Sequence, residues 1–197
     1  MKTALIIDYG AGNLKGISGL LKKFGFRLTI GNCPEDLNSS NLVVLPGVGS
    51  FGLCAKLFKQ KELVTAFMNR HHDSRPILGI CLGFQMMTNS SEESFFDKGL
   101  GIFNGEVERV RGKSIIGWKS IEPSIELNVD SEAFYFNHSF ATYNYKGGQY
   151  NLRDLDQSYT ALAIENKSVG LQFHPEKSQK AGLRLFDTLL RNVWEIN

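Results

Sequence analysis

The stretch Pro76-Ile77-Leu78-Gly79-Ile80-Cys81-Leu82-Gly83-Phe84-Gln85-Met86-Met87 decides the fold class. A short apolar run enters a small-x-nucleophile-x-small pentapeptide, and a helix-like segment follows it. This is how a strand that turns sharply into a helix reads. The glycines permit a tight, strained turn that lifts the middle side chain clear of the backbone. Here that side chain is the thiol of Cys81. Aligned backbone dipoles at a helix N-terminus favour a thiolate, so the expectation is a lowered pKa and a reactive sulfur. The other reading is a small residue buried beside a helix, as free cysteines commonly are.

Working outward, the same strand-then-helix alternation recurs. Ala4–Ile7 is a compact apolar strand, and Leu14, Ile17, Leu20, Leu21 and Phe24 then repeat at helical spacing up to Gly25. Arg27–Ile30 and the continuous apolar run Leu42–Leu45 read as strands, the second of them buried on both faces. Pro46-Gly47-Val48-Gly49 closes it, and a helix is expected from about Ala55 to His71. Alternation with short glycine-rich connections implies a three-layer α/β fold, a mostly parallel central sheet with helices on both faces.

Beyond Gly99 the texture changes to short strands. They are expected at Gly101–Phe103, Glu106–Val110, Ile115–Trp118, Phe134–Phe136, Thr160–Ile164 and Val169–Phe173. These suggest a mixed or antiparallel extension of the sheet, closed by a helix from about Ala181 to Val193. With no repeat, linker or low-complexity segment, residues 1–197 read as a single domain.

Composition narrows the function classes. Twenty-two basic against 20 acidic residues leave a net charge of +2, and no basic run exceeds a pair, so nucleic-acid binding gets no support. Cys33, Cys54 and Cys81 lack metal-ligand spacing, and three cysteines do not make a disulfide framework. The N-terminal apolar run is too short for a signal peptide or a membrane span, so a cytoplasmic protein is expected. No Gly-Lys-Ser/Thr follows the glycine-rich turn and no GxGxxG occurs, which disfavours nucleotide binding. No metal or cofactor is expected.

A cysteine nucleophile needs a base, and the base needs an orienting partner. His71 and His72 end a helix beside Asp73 and Arg75 and read as solvent-exposed. His138 follows a short aromatic strand. His174 stands out for His174-Pro175-Glu176, where the proline fixes a rigid local shape and residues two apart point the same way. The pattern suggests a Cys81–His174–Glu176 triad at the carboxyl ends of parallel strands. Oxyanion-stabilising amides have two candidate sources, the Leu82 N–H at the helix start and the Pro46–Gly49 turn.

At this point the residues resemble the class I (triad-type) glutamine amidotransferases, and within them the glutaminase subunits of imidazole glycerol phosphate synthase. The elbow around Cys81 and His174-Pro175-Glu176 are shared by the whole class. The narrower resemblance rests on Asp8-Tyr9-Gly10-Ala11-Gly12-Asn13-Leu14, Pro46-Gly47-Val48-Gly49-Ser50-Phe51-Gly52 and the ending Glu176-Lys177-Ser178. Gly99-Leu100-Gly101, Gly117-Trp118 and His138-Ser139-Phe140 add to it.

The resemblance implies a glutaminase in which Cys81 attacks the side-chain amide of L-glutamine, His174 carries the proton and Glu176 orients His174. It assigns oxyanion amides to Val48 and Leu82, with the Val48 peptide reorienting for activity, and substrate contacts to Gly47, Gln85, Ser139 and Phe140. It also implies a heterodimer with a (βα)₈-barrel cyclase of histidine biosynthesis that receives the ammonia. Asn13, Trp118, Tyr135 and Lys177 fall at partner-facing positions. The chain departs from the family at Lys119, where asparagine is usual, at Asn137, where an apolar residue is common, and in lacking a proline before Gly117. These departures keep open a related glutaminase that feeds a sugar-amidating synthase of surface-polysaccharide pathways.

Overall fold

Every side chain of Leu42–Leu45 and of Ile77–Ile80 is buried, so both faces of these two strands need a covering layer, and that need organises the molecule. The computed structural model describes residues 1–197 except 11, 123, 125, 126, 128, 130, 131, 144, 146, 153–158 and 197. Its first half runs β1 (Thr3–Ile7), α1 (Leu14–Lys23), β2 (Arg27–Gly31), α2 (Pro34–Ser39), β3 (Leu42–Leu45), α3 (Phe51–Gln60), α4 (Leu63–His72), β4 (Ile77–Ile80) and α5 (Leu82–Met86). The second half is strand-rich: β5 (Ser90–Ser91), β6 (Glu106–Arg109), β7 (Ile115–Ser120), β8 (Ala133–His138), β9 (Phe140–Tyr143), β10 (Gly148–Asn151), β11 (Thr160–Glu165) and β12 (Ser168–Leu171). A 3₁₀ turn (Pro175–Lys177) leads to α6 (Gln179–Thr188), which ends in a π-helical turn (Leu189–Val193).

The central sheet has the order β10-β11-β12-β4-β3-β1-β2. Strands β12, β4, β3, β1 and β2 are parallel, and β11 and β10 extend the sheet antiparallel. Alternation along the strands sends Ile6, Val44, Leu78 and Ile80 to one face, under α1 and α6. Leu5, Ile7, Val43, Leu45 and Ile77 go to the other, under α3, α4 and α5. The expected three-layer architecture is present.

Several expectations need correcting. The single helix from Ala55 to His71 is two helices, because Glu62, at the position before α4, takes a left-handed conformation (φ 55°) that breaks the helical ladder. Gly101–Phe103 forms no strand. It is an irregular segment tied back by the Gly101 and Phe103 amides to the Thr88 and Met87 carbonyls. Strands β6 to β9 do not extend the central sheet. They form a three-stranded sheet β5-β6-β9 and a hairpin-like pair β7-β8. His71 is not exposed: it is buried, with Nδ1 2.9 Å from Ser168 Oγ, and burial lowers its pKa. Among the described residues no helix is long and apolar enough to cross a membrane.

The site end of the sheet depends on close approach. A Cβ at Gly83 would stand 2.1 Å from the Leu45 carbonyl oxygen, so α5 packs directly against the backbone of β3. At Gly170 in β12, a Cβ would meet the fully buried ring of Phe84 at 2.0 Å. That ring is locked between layers and cannot swing away. Gly170→Ala is therefore expected to lower stability by about 1–3 kcal/mol, read as a lower urea midpoint with an unchanged slope.

Candidate active site

Cys81 sits between the last residue of β4 and the first of α5 with φ 48° and ψ −104°, a region L-residues rarely occupy. Its amide donates to the Leu171 carbonyl at 2.6 Å, and its carbonyl accepts the first hydrogen bond of α5, from Gln85 N. The strain is sustained because both flanks are pinned. The sulfur is held at the carboxyl end of the parallel strands, the position the pentapeptide predicts.

His174 follows β12 on the adjacent strand. Its Nδ1 lies 3.0 Å from Glu176 Oε1, and both side chains are buried. Glu176 Oε1 also accepts from Asn13 Nδ2 at 3.2 Å, while Asn13 Oδ1 caps α1 through the Gly16 amide. A carboxylate on Nδ1 fixes the tautomer that leaves Nε2 free to take a proton. Cys81 and His174 flank one methyl-sized gap: a Cβ added at Gly47 would stand 3.0 Å from Cys81 Cβ and 3.1 Å from His174 Cε1. Only glycine allows the Pro46–Gly49 turn to lie there.

These groups line a cavity of about 300 Å³. Gly47, Val48, Leu82, Gln85, Ser139 and Phe140 all border it, which brings together every expected oxyanion and substrate-contact residue. Val48, half-exposed, stands at the lip. Gln85 is buried and donates from Nε2 to the Phe140 carbonyl at 2.7 Å, and Ser139 Oγ pairs with Ser114 Oγ at 2.7 Å. Glu93 also lines the cavity, and it alone among the described lining residues brings a carboxylate to the open space beside the nucleophile. Its Oε2 accepts the Phe51 amide at 3.0 Å, which holds it in place. The sequence gives little sign of Glu93, because nothing in the pair Glu92-Glu93 distinguishes the acid that folds back.

The electrostatics correct one expectation. Burial pushes the Cys81 thiol up to about 12, reinforced by the Glu176 carboxylate and opposed by the Leu82 amide, a Gln172 hydrogen bond and Lys177. The helix-start amide acts in the expected direction, and desolvation outweighs it. At neutral pH the surroundings favour the thiol form of Cys81.

Three of the four expected partner-facing residues form one surface cluster. Trp118, half-exposed, meets the Tyr135 ring edge-on at 6.0 Å, and Lys177 Nζ stands 5.5 Å above the same ring. Asn13 is instead turned toward Glu176. The pairing of Trp118 with Tyr135 and of Lys119 with Phe134 puts Lys119 on the opposite face of β7, away from this cluster. Asn137 shares the outward face, and its carbonyl lies 4.0 Å from Cys81 Sγ.

A family model described as glutamine amidotransferase class-I matches residues 5–191. The imidazole glycerol phosphate synthase subunit HisH of Thermus thermophilus is 34% identical over 200 residues, covering 98% of each chain. The HisH subunit of Saccharolobus solfataricus is 36% identical, covering 94% of this chain and 96% of its own. Among solved structures, a glutamine amidotransferase superposes with a TM-score of 0.77 at 19% identity, covering 96% of this chain and 98% of its own. The structure of PurLQS from Thermotoga maritima gives 0.76 at 18% identity, with the same coverage. At such identities these two speak for the fold alone.

His138, in the cavity wall, has a pKa lowered from 6.5 to about 4, first by burial and then by His174, with the Phe140 carbonyl opposing. Above about pH 6.5 the group is neutral folded and unfolded, so its contribution to stability is complete. Below that pH the unfolded chain takes up a proton that the folded chain refuses. Stability should therefore fall on acidification toward pH 4, by up to about 1.4 kcal/mol per pH unit from this group. Denaturant midpoints measured from pH 7.5 to 4.5 check this, and His138→Gln should flatten the dependence.

Proposed function

The chain belongs to the class I glutamine amidotransferases, and within them to the HisH subunits of imidazole glycerol phosphate synthase, and on that footing we propose how its site works. The reading is a glutaminase that hydrolyses L-glutamine at Cys81 and passes the ammonia to a (βα)₈-barrel cyclase of histidine biosynthesis. One observation carries it. A strained elbow thiol and a carboxylate-held imidazole face each other across a gap that only Gly47 leaves open, at the floor of a cavity the size of an amino acid.

The steps follow from the geometry. Glutamine enters with its α-ammonium toward Glu93 and its side-chain amide over Cys81. The Sγ proton moves to His174 Nε2 as sulfur bonds the amide carbon, and the oxygen gains the negative charge. Amides of Val48 and Leu82 receive that oxyanion. His174 returns the proton to the nitrogen, the C–N bond breaks, ammonia leaves and a γ-glutamyl thioester remains. Water then adds, giving its proton to His174, and the C–S bond breaks to release glutamate and restore the thiol. Glu176 holds His174 throughout.

A thiol resting protonated makes the lone chain a slow enzyme, which suits a subunit whose ammonia is useful only beside an acceptor. The Trp118–Tyr135–Lys177 cluster is the proposed docking face. It reaches the site by backbone: Tyr135 O accepts the His174 amide at 2.9 Å, and Tyr135 N donates to Ser178 Oγ at 3.0 Å. The near full-length likeness to HisH subunits favours the histidine-pathway acceptor over a sugar-amidating one. Lys119 lies on the face of β7 opposite the proposed docking cluster, which weighs in the same direction. A cytoplasmic setting follows from the same reading.

Cys81→Ala should lower glutamine hydrolysis at least about 10³-fold while ammonium salts still support synthesis by the complex with the cyclase. Normal hydrolysis by that variant would refute the nucleophile. Failure of ammonium to replace glutamine would refute ammonia delivery. Glu93→Gln keeps the acceptor for the Phe51 amide but removes the charge, so KM for glutamine should rise about tenfold or more with kcat nearly unchanged.

A further inference from the structure

Gln172 is a wholly buried polar residue that the chemistry above does not use. It follows β12, two residues before His174, and does not border the cavity. Its Nε2 lies 3.6 Å from Cys81 Sγ, within the reach of an N–H donor to sulfur. Its Oε1 accepts from Gln85 Nε2 at 3.4 Å, so the amide is held with its donor end toward the sulfur. Gln85 is fixed in turn by the Phe140 carbonyl, and His138 Nδ1 meets that same carbonyl at 2.9 Å. An unbroken polar chain thus runs beneath the cavity, from the β8–β9 wall to the nucleophile.

We infer that Gln172 is a positioning residue for the nucleophile: its side-chain amide donates to Cys81 Sγ and stabilises the thiolate, and Gln85 braces it in that orientation. A neutral donor buried in low dielectric favours the charged form of its partner without adding a charge of its own. The other groups facing the sulfur are Glu176 and Lys177 on the 3₁₀ turn, His174 before them, Tyr9 after β1, the Leu82 amide on α5 and the Asn137 carbonyl on β8, which accepts from the thiol at 4.0 Å. Glu176 raises the thiol and Lys177 lowers it, so their charges partly cancel. That leaves the Leu82 amide and the Gln172 amide as the two donors to sulfur that oppose desolvation. The brace gives Gln85 two roles, because the residue that closes the cavity wall also sets the donor beneath the nucleophile.

The test compares two substitutions of Gln172 in the full chain. Gln172→Glu keeps the shape and the acceptor toward Gln85 but puts a carboxylate where the donor stood. Gln172→Met keeps approximate volume and removes both polar atoms. The rate of Cys81 alkylation by iodoacetamide, read at the Cys81 peptide by mass spectrometry between pH 6 and 10, is expected to fall about tenfold at each pH in Gln172→Met. It should fall further in Gln172→Glu. A packing role predicts the reverse order, with the isosteric Glu nearest the wild type, and a loosened wall would speed alkylation. Either result overturns the inference.

If the Met variant does not fold, the Glu variant against the wild type decides it. If neither folds, Gln85→Leu, which removes the brace together with the bond to the Phe140 carbonyl, should slow the same alkylation, and an unchanged or faster rate refutes the relay. Alkylation needs no glutamine, so it stands apart from the glutaminase reading. Resting on that reading, glutamine turnover in the Met variant should show a reduced kcat with KM within about twofold of wild type, since Gln172 does not touch the cavity.

Discussion

The strained backbone of Cys81 is the constraint from which the rest of the site follows. A positive φ at a non-glycine residue costs on the order of 1–3 kcal/mol and persists only where the surroundings over-determine it. Here they do so from three sides. The Cys81 amide is tied to β12 through Leu171 O, α5 abuts the Leu45 carbonyl at Gly83, and the Pro46–Gly49 turn passes within van der Waals reach at Gly47. Each contact needs a missing Cβ or a strand end. The five-stranded parallel core is therefore the support that holds one sulfur at the top of the sheet.

A second dependence runs outward from His174. The β7–β8 pair is separate from the central sheet, yet Tyr135 accepts the His174 amide and donates its own to Ser178. Ser178 Oγ donates to the His174 carbonyl at 2.6 Å, closing a small ring of hydrogen bonds around the catalytic turn. Trp118 and Lys177 pack on the outer side of the same Tyr135. The proposed docking cluster and the His174 turn are therefore joined through the backbone of one strand.

What the sequence made legible is the part written in local patterns. The elbow, the apolar strands β3 and β4, and His174-Pro175-Glu176 each carry their geometry within a few residues, and the structure puts them where the patterns point. The substrate-contact residues come from family resemblance and the oxyanion amides from the elbow and the glycine-rich turn; the cavity gathers these, while the partner-facing residues lie outside it. Long-range packing was not legible. Nothing local marks Glu62 as a helix break, His71 as a buried partner of Ser168, or β6–β9 as sheets of their own. Glu93 was missed because its role depends on a loop folding back onto α3. Gln172 did leave a signal, a polar residue in an apolar strand that ends in a buried segment.

The sulfur's electrostatics join these threads. Reading only the helix start, one expects an acidic thiol; the cavity in fact buries it, and desolvation outweighs the Leu82 amide. Burial and the Glu176 carboxylate both disfavour the thiolate. The groups that favour the thiolate are held in different ways, the Leu82 amide by α5 packed on the β3 backbone and the Lys177 and Gln172 side chains by their own contacts. Lys177 lies over the Tyr135 ring, and Gln172 is hydrogen-bonded to Gln85, which bonds the β9 backbone at Phe140. Those contacts converge on one ionisation equilibrium, that of Cys81. In the proposed mechanism this is the equilibrium that a receiving partner must shift for glutamine consumption to depend on its presence.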